Sequence, residues 1–437
     1  MEYSLGKGRS MKVLTQFVQI LKINWSSNFM KSVCYARISE TLMKYLVLAL
    51  LFPAVVYSSN EVTPNSRVTT SLKVRTAPNS SAAIIGTLAP GDTRTFLSSL
   101  PYYYEIMYRD DQKGYIHKGY SKLINNTPDL TGVVSNEPKL VFHFIDVGQG
   151  DATLISCPNG ENILVDAGST SGASAENLRE YIEDTLRNRE YRIHSLIITH
   201  PDADHYNLLE EALGGIPITN AYWAGVYQDF RGREFKEWFF GNHPPYSKLI
   251  RLSEEFFNDE RNANTDITCG DADIYILAAG IKAKRSRKNA LSIVIMVDFG
   301  DLEAILTGDA TTDTEAAIMS RYTSDWLNVD LLKVGHHGSL VTSTSQQWVD
   351  TLKPNYSVIS AGYNNSHGHP RKEVVDRLLP HISDTTSSHI LTVASGKRGS
   401  YNWEAPDEYS DKNVYSTVNS GTVVVEFNRD GSIIIQE

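Results

Sequence analysis

The sequence predicts an α/β chain, a large layered domain of strands and helices placed behind a small all-β module. Two observations predict it. In the C-terminal part, apolar runs of strand length recur, and three of them end abruptly on His or Asp side chains. Between residues 67 and 124 the texture changes to short β runs separated by Gly, Pro and Asn, a spacing that fits a separate all-β unit. A chain of 437 residues has room for both.

Residues 1–60 are set aside from the fold as an N-terminal extension with a leader. Met43-Lys44 and the apolar stretch from Tyr45 to Val56 read as the n- and h-regions of a signal peptide, too short to span a bilayer comfortably. An uncleaved membrane anchor is the alternative, and either places the body outside the cytoplasm. In 67–124, the runs Leu72 to Pro78, Ile84 to Leu88, Tyr104 to Met107 and Gly114 to His117 resemble a bacterial SH3-like domain. That resemblance implies attachment to cell wall or to an envelope protein, with Tyr102, Tyr103 and Tyr104 available to line a groove. Residues 125–138, rich in Asn, Thr, Pro and Gly, read as a linker to a domain at 139–437.

In that domain Leu140 to Ile145, Ala152 to Ser156 and Asn162 to Val165 read as opening strands. Leu178, Ile182 and Leu186 mark one face of an amphipathic helix. The apolar run Ser195 to Thr199 then delivers His200-Pro201-Asp202-Ala203-Asp204-His205, four potential metal ligands in six positions. Imidazole and carboxylate together suit Zn, Mn or Fe, and so many crowded side chains would repel or desolvate one another without a cation. Residues 207–266 are aromatic-rich and read as an irregular insertion beside the cleft. Two later strands also end on ligands, Leu302 to Leu306 on Thr307-Gly308-Asp309 and Val329 to Val334 on Gly335-His336-His337-Gly338-Ser339. A hairpin from Thr422 to Ile435, turning through Asn428-Arg429-Asp430-Gly431, closes the chain.

The His-x-Asp-x-Asp-His, Thr-Gly-Asp and His-His-Gly-Ser motifs resemble the metallo-β-lactamase fold, specifically the soluble domain of ComEC-like competence proteins. The segments Phe144 to Ala152, Asn162 to Gly168 and Gly362 to Pro370 resemble that family too. The resemblance implies a metallo-β-lactamase-type αββα sandwich and one or two divalent ions, Zn or Mn. It implies His200 and Asp202 for one ion, Asp204 and His205 for the other, Asp309 between them and His336 as a further ligand. Asp204 also takes a catalytic role with His337, which faces the substrate or supports the ligands. Asp146 and Asp166 are expected to orient ligands by hydrogen bonding. Asn289, Ser292 and His369 are candidate substrate contacts.

Two departures from the wider fold family stand out. Asp202 occupies a position that is often His, which hardens the site towards Mn. A middle histidine is also missing: between Tyr206 and Gly308 the only one is His243, and Asn289-Ala290-Leu291-Ser292 stands near the expected place. Just before it, Lys282, Lys284, Arg285, Arg287 and Lys288 form a dense basic run, either a solvated loop or a lip that tracks phosphates. The net charge of −10 argues against a protein that coats nucleic acid, but not against an enzyme meeting phosphates through metal. The expected activity is hydrolysis of a phosphodiester, in nucleic acid or a related substrate. Hydrolysis of a lactone, β-lactam or other carbonyl substrate is the alternative, and a non-catalytic wall-binding protein the third reading. Cys157 and Cys269 are read as two small buried thiols, with a disulfide as the alternative. The oligomeric state is left open.

Overall fold

The computed structural model describes residues 61–437 apart from 65–67, 69, 80–81, 100–102, 110, 118–120, 125–137, 172, 253, 260–262, 265 and 386. The expected leader, nearly all of the expected linker, and Tyr102 therefore lie outside the described residues.

Seven antiparallel strands between residues 61 and 124 form one sheet. They are β1 (Glu61–Pro64), β2 (Leu72–Arg75), β3 (Ile84–Leu88), β4 (Arg94–Ser99), β5 (Tyr103–Arg109), β6 (Gln112–His117) and β7 (Ser121–Ile124), ordered β3-β2-β6-β5-β4-β1-β7. Val62, Leu72, Val74, Leu88, Ile106 and Ile116 alternate inward to make its core. Because β1 pairs with both β4 and β7, the sheet begins before residue 67.

From residue 140 onward two sheets lie face to face. The first has eight strands: β8 (Leu140–Phe144), β9 (Gly150–Ser156), β10 (Asn162–Ser169), β11 (Ile193–Ile198), β12 (Ile218–Trp223), β13 (Tyr246–Arg251) and, from the C-terminus, β22 (Val423–Phe427) and β23 (Ile433–Gln436). The second has six: β14 (Asp273–Ala278), β15 (Val294–Phe299), β16 (Leu302–Leu306), β17 (Leu331–Lys333), β18 (Tyr356–Ile359) and β21 (Val414–Ser416). A small hairpin, β19 (Val393–Lys397) with β20 (Ser400–Glu404), stands beside them.

Strand alternation sorts the side chains into layers. Ile197 of β11 joins Phe142, Ile155, Val165, Ile295, Val297 and Leu306 between the sheets. Its neighbours Leu196 and Ile198 pack outward with Leu178, Ile182 and Leu186 of helix Ala175–Leu186. On the far side, Val294, Met296 and Ile305 pack with Ile318, Trp348 and Val375, each from a different helix. The order helix, sheet, sheet, helix is the expected αββα sandwich. Sheets buried on both faces explain the nearly continuous apolar runs in these strands.

Two expectations are corrected. Residues 207–266 are not an irregular insertion: β12 and β13 extend the first sheet in parallel, joined by helix Arg233–Phe240. Their aromatics pack on one another, Phe230, Phe235 and Phe240 around Trp223 and Tyr206, which satisfies them without a ligand. Cys157 and Cys269 are not free thiols but a disulfide across 112 residues. Among the described residues, no helix is long and apolar enough to cross a membrane.

Candidate metal centre

The strands β11, β16, β17 and β18 are mutually parallel within their sheets and release their loops along one edge of the sandwich. The loop after β11 carries His200 to His205 and packs directly on β10. A Cβ on Gly168 would come within 2.4 Å of the backbone of Asp204 and His205, so only glycine lets the two approach. After β17 the chain turns through His336 and His337 with φ of +49° and +54°. Two consecutive non-glycine residues in the left-handed region are strained, and the turn brings both rings against Asp309.

Asp309 is the hub. Its Oδ1 lies 3.2 Å from His205 Nε2 and 3.6 Å from His337 Nε2, and His337 Nε2 is 3.6 Å from Asp204 Oδ2. Its Oδ2 lies 3.9 Å from His200 Nε2 and 3.5 Å from His336 Nε2. His200, His205 and Asp309 form one cluster of metal-ligating type, and Asp204, His205 and His337 another.

Three of the rings are held in the tautomer a metal needs. His205 Nδ1 faces Asp166 Oδ2 at 2.7 Å, His337 Nδ1 faces the Ser360 carbonyl at 2.8 Å, and His200 Nδ1 faces Thr199 Oγ1 at 3.1 Å. With each Nδ1 so engaged, each Nε2 is turned towards the hub and left for a metal to take. These three Nε2 atoms and Asp309 Oδ1 are buried and have no hydrogen-bond partner. Buried polar atoms left unsatisfied are costly. A divalent ion is a partner that all of them fit.

The electrostatics agree. Burial works against a charged His205, but Asp309 and Asp166 outweigh it and hold its pKa well above the usual histidine range. His337 is raised in the same way, burial being overcome by Asp309 and Asp204. Asp309 stays well below the ordinary carboxylate range, since His336, His337 and His205 overcome its burial. His205 and His337 thus favour a proton that a metal ion would displace, whereas burial, the largest influence on each, holds His200 and His336 below the usual histidine range.

The remaining expected residues are placed as follows. Asn289 donates from Nδ2 to Asp309 Oδ2 at 3.2 Å, and the same nitrogen is 3.4 Å from His336 Nε2. Ser292 is fully buried beneath the cleft, and its hydroxyl accepts from Asp309 N. His369 lines the cleft, its pKa pushed down to about 2 by burial and by the neighbouring imidazoles of His337 and His336. Asp166 accepts from Thr199 N as well as orienting His205, whereas Asp146 accepts from Gly148 N within its own turn. Asp202 joins neither cluster; its Oδ1 is held at 3.0 Å by Lys288 Nζ, which also donates to the carbonyls of Pro201 and Asp229. Lys288 is therefore a clamp on the loop, and it also lines the cleft. Lys282, Lys284, Arg285 and Arg287 are exposed and outside the cleft lining.

Sequence reasoning missed Asp151, Lys333, Thr342 and Arg231. Asp151 sits close to Asp166 and His205 and is ion-paired with Lys333. Thr342 Oγ1 holds His336 Nδ1 at 2.6 Å, and Arg231 lines the cleft, whose volume is about 320 Å³. A lysine at the end of an apolar strand, Leu331-Leu332-Lys333, was the available signal for the first pair.

Residues 70–122 match the model of the bacterial SH3 domain, and residues 145–260 that of the metallo-β-lactamase superfamily. The chain is 28% identical over 251 residues to ComE operon protein 3 of Bacillus subtilis, a stretch covering 54% of this chain and 30% of that protein. It is 33% identical over 250 residues to Recombination protein 2 of Haemophilus influenzae, covering 56% and 27% respectively. With Competence protein ComA of Neisseria gonorrhoeae the identity is 26% over 282 residues, 62% of this chain and 35% of that one. The chain thus spans about a third of the length of the curated relatives it matches. It carries an enzyme domain of the metallo-β-lactamase superfamily behind a bacterial SH3 domain, and it resembles the ComEC-like competence proteins.

Proposed function

We propose that this protein is an exported, metal-dependent phosphodiesterase acting on nucleic acid, anchored in the envelope by its SH3-like domain. The observation that carries the metal dependence is the set of buried, unpartnered Nε2 atoms of His200, His205 and His337 converging on Asp309. Asp204, His205, His337 and Asp309 would hold a divalent ion, whose chemistry when bound is to polarise a phosphoryl oxygen and acidify water. Asp166 and the Ser360 carbonyl keep the two imidazoles oriented throughout. Burial opposes ionisation of Asp204, but the His337 hydrogen bond and positive His205 outweigh it, so Asp204 stays ionised and orients the attacking water. His369 remains neutral and presents an imidazole to the substrate from the cleft wall. The nucleic-acid reading is supported by two relatives named for recombination and competence. Export is supported by the Cys157–Cys269 disulfide, because such bridges persist in oxidising compartments.

The test is an assay of the full chain, loaded with Mn²⁺ or Zn²⁺, on single- and double-stranded DNA, RNA, a chromogenic phosphodiester, a lactone and a β-lactam. Cleavage of the phosphodiesters is expected, falling to background in Asp204→Asn with the fold intact by circular dichroism. Hydrolysis of only the carbonyl substrates overturns the substrate class. Wild-type turnover by folded Asp204→Asn overturns the assignment of the site.

A further inference from the structure

Two side chains of permanent positive charge line the cleft, Lys288 and Arg231. They are employed differently. Lys288 Nζ directs its three hydrogens to Asp202 Oδ1 and to the carbonyls of Pro201 and Asp229. Arg231 is exposed, and among the described residues no hydrogen bond or ion pair reaches its guanidinium. The acids nearest to it in sequence are engaged elsewhere. Asp229 Oδ2 accepts from Val226 N at 3.2 Å, and Glu237 pairs with Arg233 at 2.7 Å. Of the carboxylates that line the cleft, Asp202 has Lys288, while Asp204 and Asp309 face the histidines of the candidate centre. Arg231 is left as the cleft's uncommitted cation.

A free arginine on a surface is ordinarily solvated and nothing more, but the backbone beneath this one is fastened from both sides. Arg231 N donates to the Tyr206 hydroxyl at 2.6 Å, and Tyr206, only 1% exposed, directly follows the candidate ligand His205. Phe230, equally buried, packs edge-on against the rings of Tyr206 and Trp223, with centroids 4.9 and 5.6 Å away. On the other side Lys288 ties the Asp229 carbonyl to that of Pro201, in the loop that bears the ligands. Residues 229–231 are thus locked to the segment carrying His200 to His205, while the guanidinium remains available to the cleft. A cationic fork on a fixed root is preorganised for an anion, because little freedom is lost when the anion arrives.

We infer that Arg231 determines specificity by holding the phosphate next to the scissile one, so that the substrate is a nucleic-acid strand and not an isolated diester. This rests on the phosphodiester reading above and adds a second phosphate to it. Arg231 belongs to neither ligand cluster, which sets it beside the reacting group and not on it. Its planar guanidinium meets two phosphate oxygens at once and keeps its charge throughout the working pH range.

The test uses the full chain loaded with Mn²⁺ and two probes, thymidine 5′-monophosphate and thymidine 3′,5′-bisphosphate, whose phosphates stand one sugar apart. In calorimetric titration the wild type should bind the bisphosphate about tenfold more tightly than the monophosphate, the worth of one charge-assisted pair in a solvated cleft. That preference should vanish in Arg231→Met and survive in part in Arg231→Lys, which keeps the charge but not the fork. Because it is a ratio within one protein, a partial loss of folding that lowers both affinities does not imitate it. In kinetics, adding a terminal phosphate to dithymidine monophosphate should lower KM and leave kcat unchanged, and Arg231→Met should erase the difference. A wild type without the preference, or an Arg231→Met variant that keeps it undiminished, overturns the inference, and cleavage of the dinucleotides then leaves the proposed function standing. An Arg231-dependent preference with no cleavage of any phosphodiester does the reverse: it overturns the proposed function and leaves Arg231 as the phosphate-holding residue.

Discussion

At the scale of single residues, the site depends on which nitrogen of each histidine carries the proton. Asp166 decides this for His205, and it does so from a backbone with φ of +58°, a conformation that Asn tolerates nearly as well as Asp. Asp166→Asn therefore removes the charge and half the orienting capacity without disturbing the strand. Metal affinity, measured by competition with a chelator, is expected to fall about 10–100-fold. An unchanged affinity would mean that His205 is oriented by its packing alone. The ligand types were legible in the sequence because four of them crowd into six positions. The roles of the adjacent His336 and His337 were not, because they depend on a turn in the left-handed region that nothing in Gly-His-His-Gly announces. In the structure His337 is the buried ring in the cluster with Asp204 and His205, and His336 lies on the Asn289 side.

At the scale of elements, strand positions followed from apolar runs, and β8, β10, β11 and β16 stand close to where the runs place them. The parallel strands β12 and β13 were hidden because β13 is largely exposed at the sheet edge and carries no apolar alternation. Pairing also creates charge contacts that no single strand reveals. Asp273, Asp298 and Glu303 stand opposite one another across β14, β15 and β16, and Glu303 N donates to Asp330 Oδ2, which brings a further carboxylate close. Like charges across a ladder are destabilising. Burial, then Asp330 and Asp298, raise Glu303 from 4.5 to about 7. A carboxyl whose pKa is higher in the folded state binds its proton more tightly there, so stability falls as pH rises from about 4.5 to about 7 and is flat above. Glu303→Gln should match the wild type in Tm near pH 4.5 and exceed it by about 2 °C at pH 8, a figure kept small because the group is partly solvated. An equal gain at both pH values would trace the effect to something other than ionisation.

At the scale of the whole molecule, the two sheets meet across an apolar core that, among the described residues, takes in a buried ion pair. Lys333 at the end of β17 and Asp151 near the start of β9 come from opposite sheets, and both are about 2% exposed. Alternation assigns them there: Leu331, two residues before Lys333, and Ile155, four after Asp151, both point into the space between the sheets. Removing one partner strands a buried charge, so Lys333→Met is expected to cost about 3–5 kcal/mol in denaturant unfolding. Lys333→Met with Asp151→Val should recover most of that loss, because replacing both charges leaves none unpaired. A double variant no more stable than the single one would show that the charge pairing is not what matters. The αββα layering was legible from the alternating runs, but this pairing was not, since the partners lie 182 positions apart and neither sits in a ligand motif.

The Cys157–Cys269 bridge bears on when the enzyme becomes complete. It joins the turn between β9 and β10 to the segment that leads into β14, which ties the early half of the sandwich to the late half. The candidate metal ligands divide along the same line, with His200, Asp204 and His205 on the early side and Asp309, His336 and His337 on the late side. A chain still in a reducing compartment lacks this covalent tie, and its denatured state is freer by the loop the bridge would close. Oxidation of the pair thus acts as a covalent latch, joining the two stretches of chain that must meet before the candidate centre is complete.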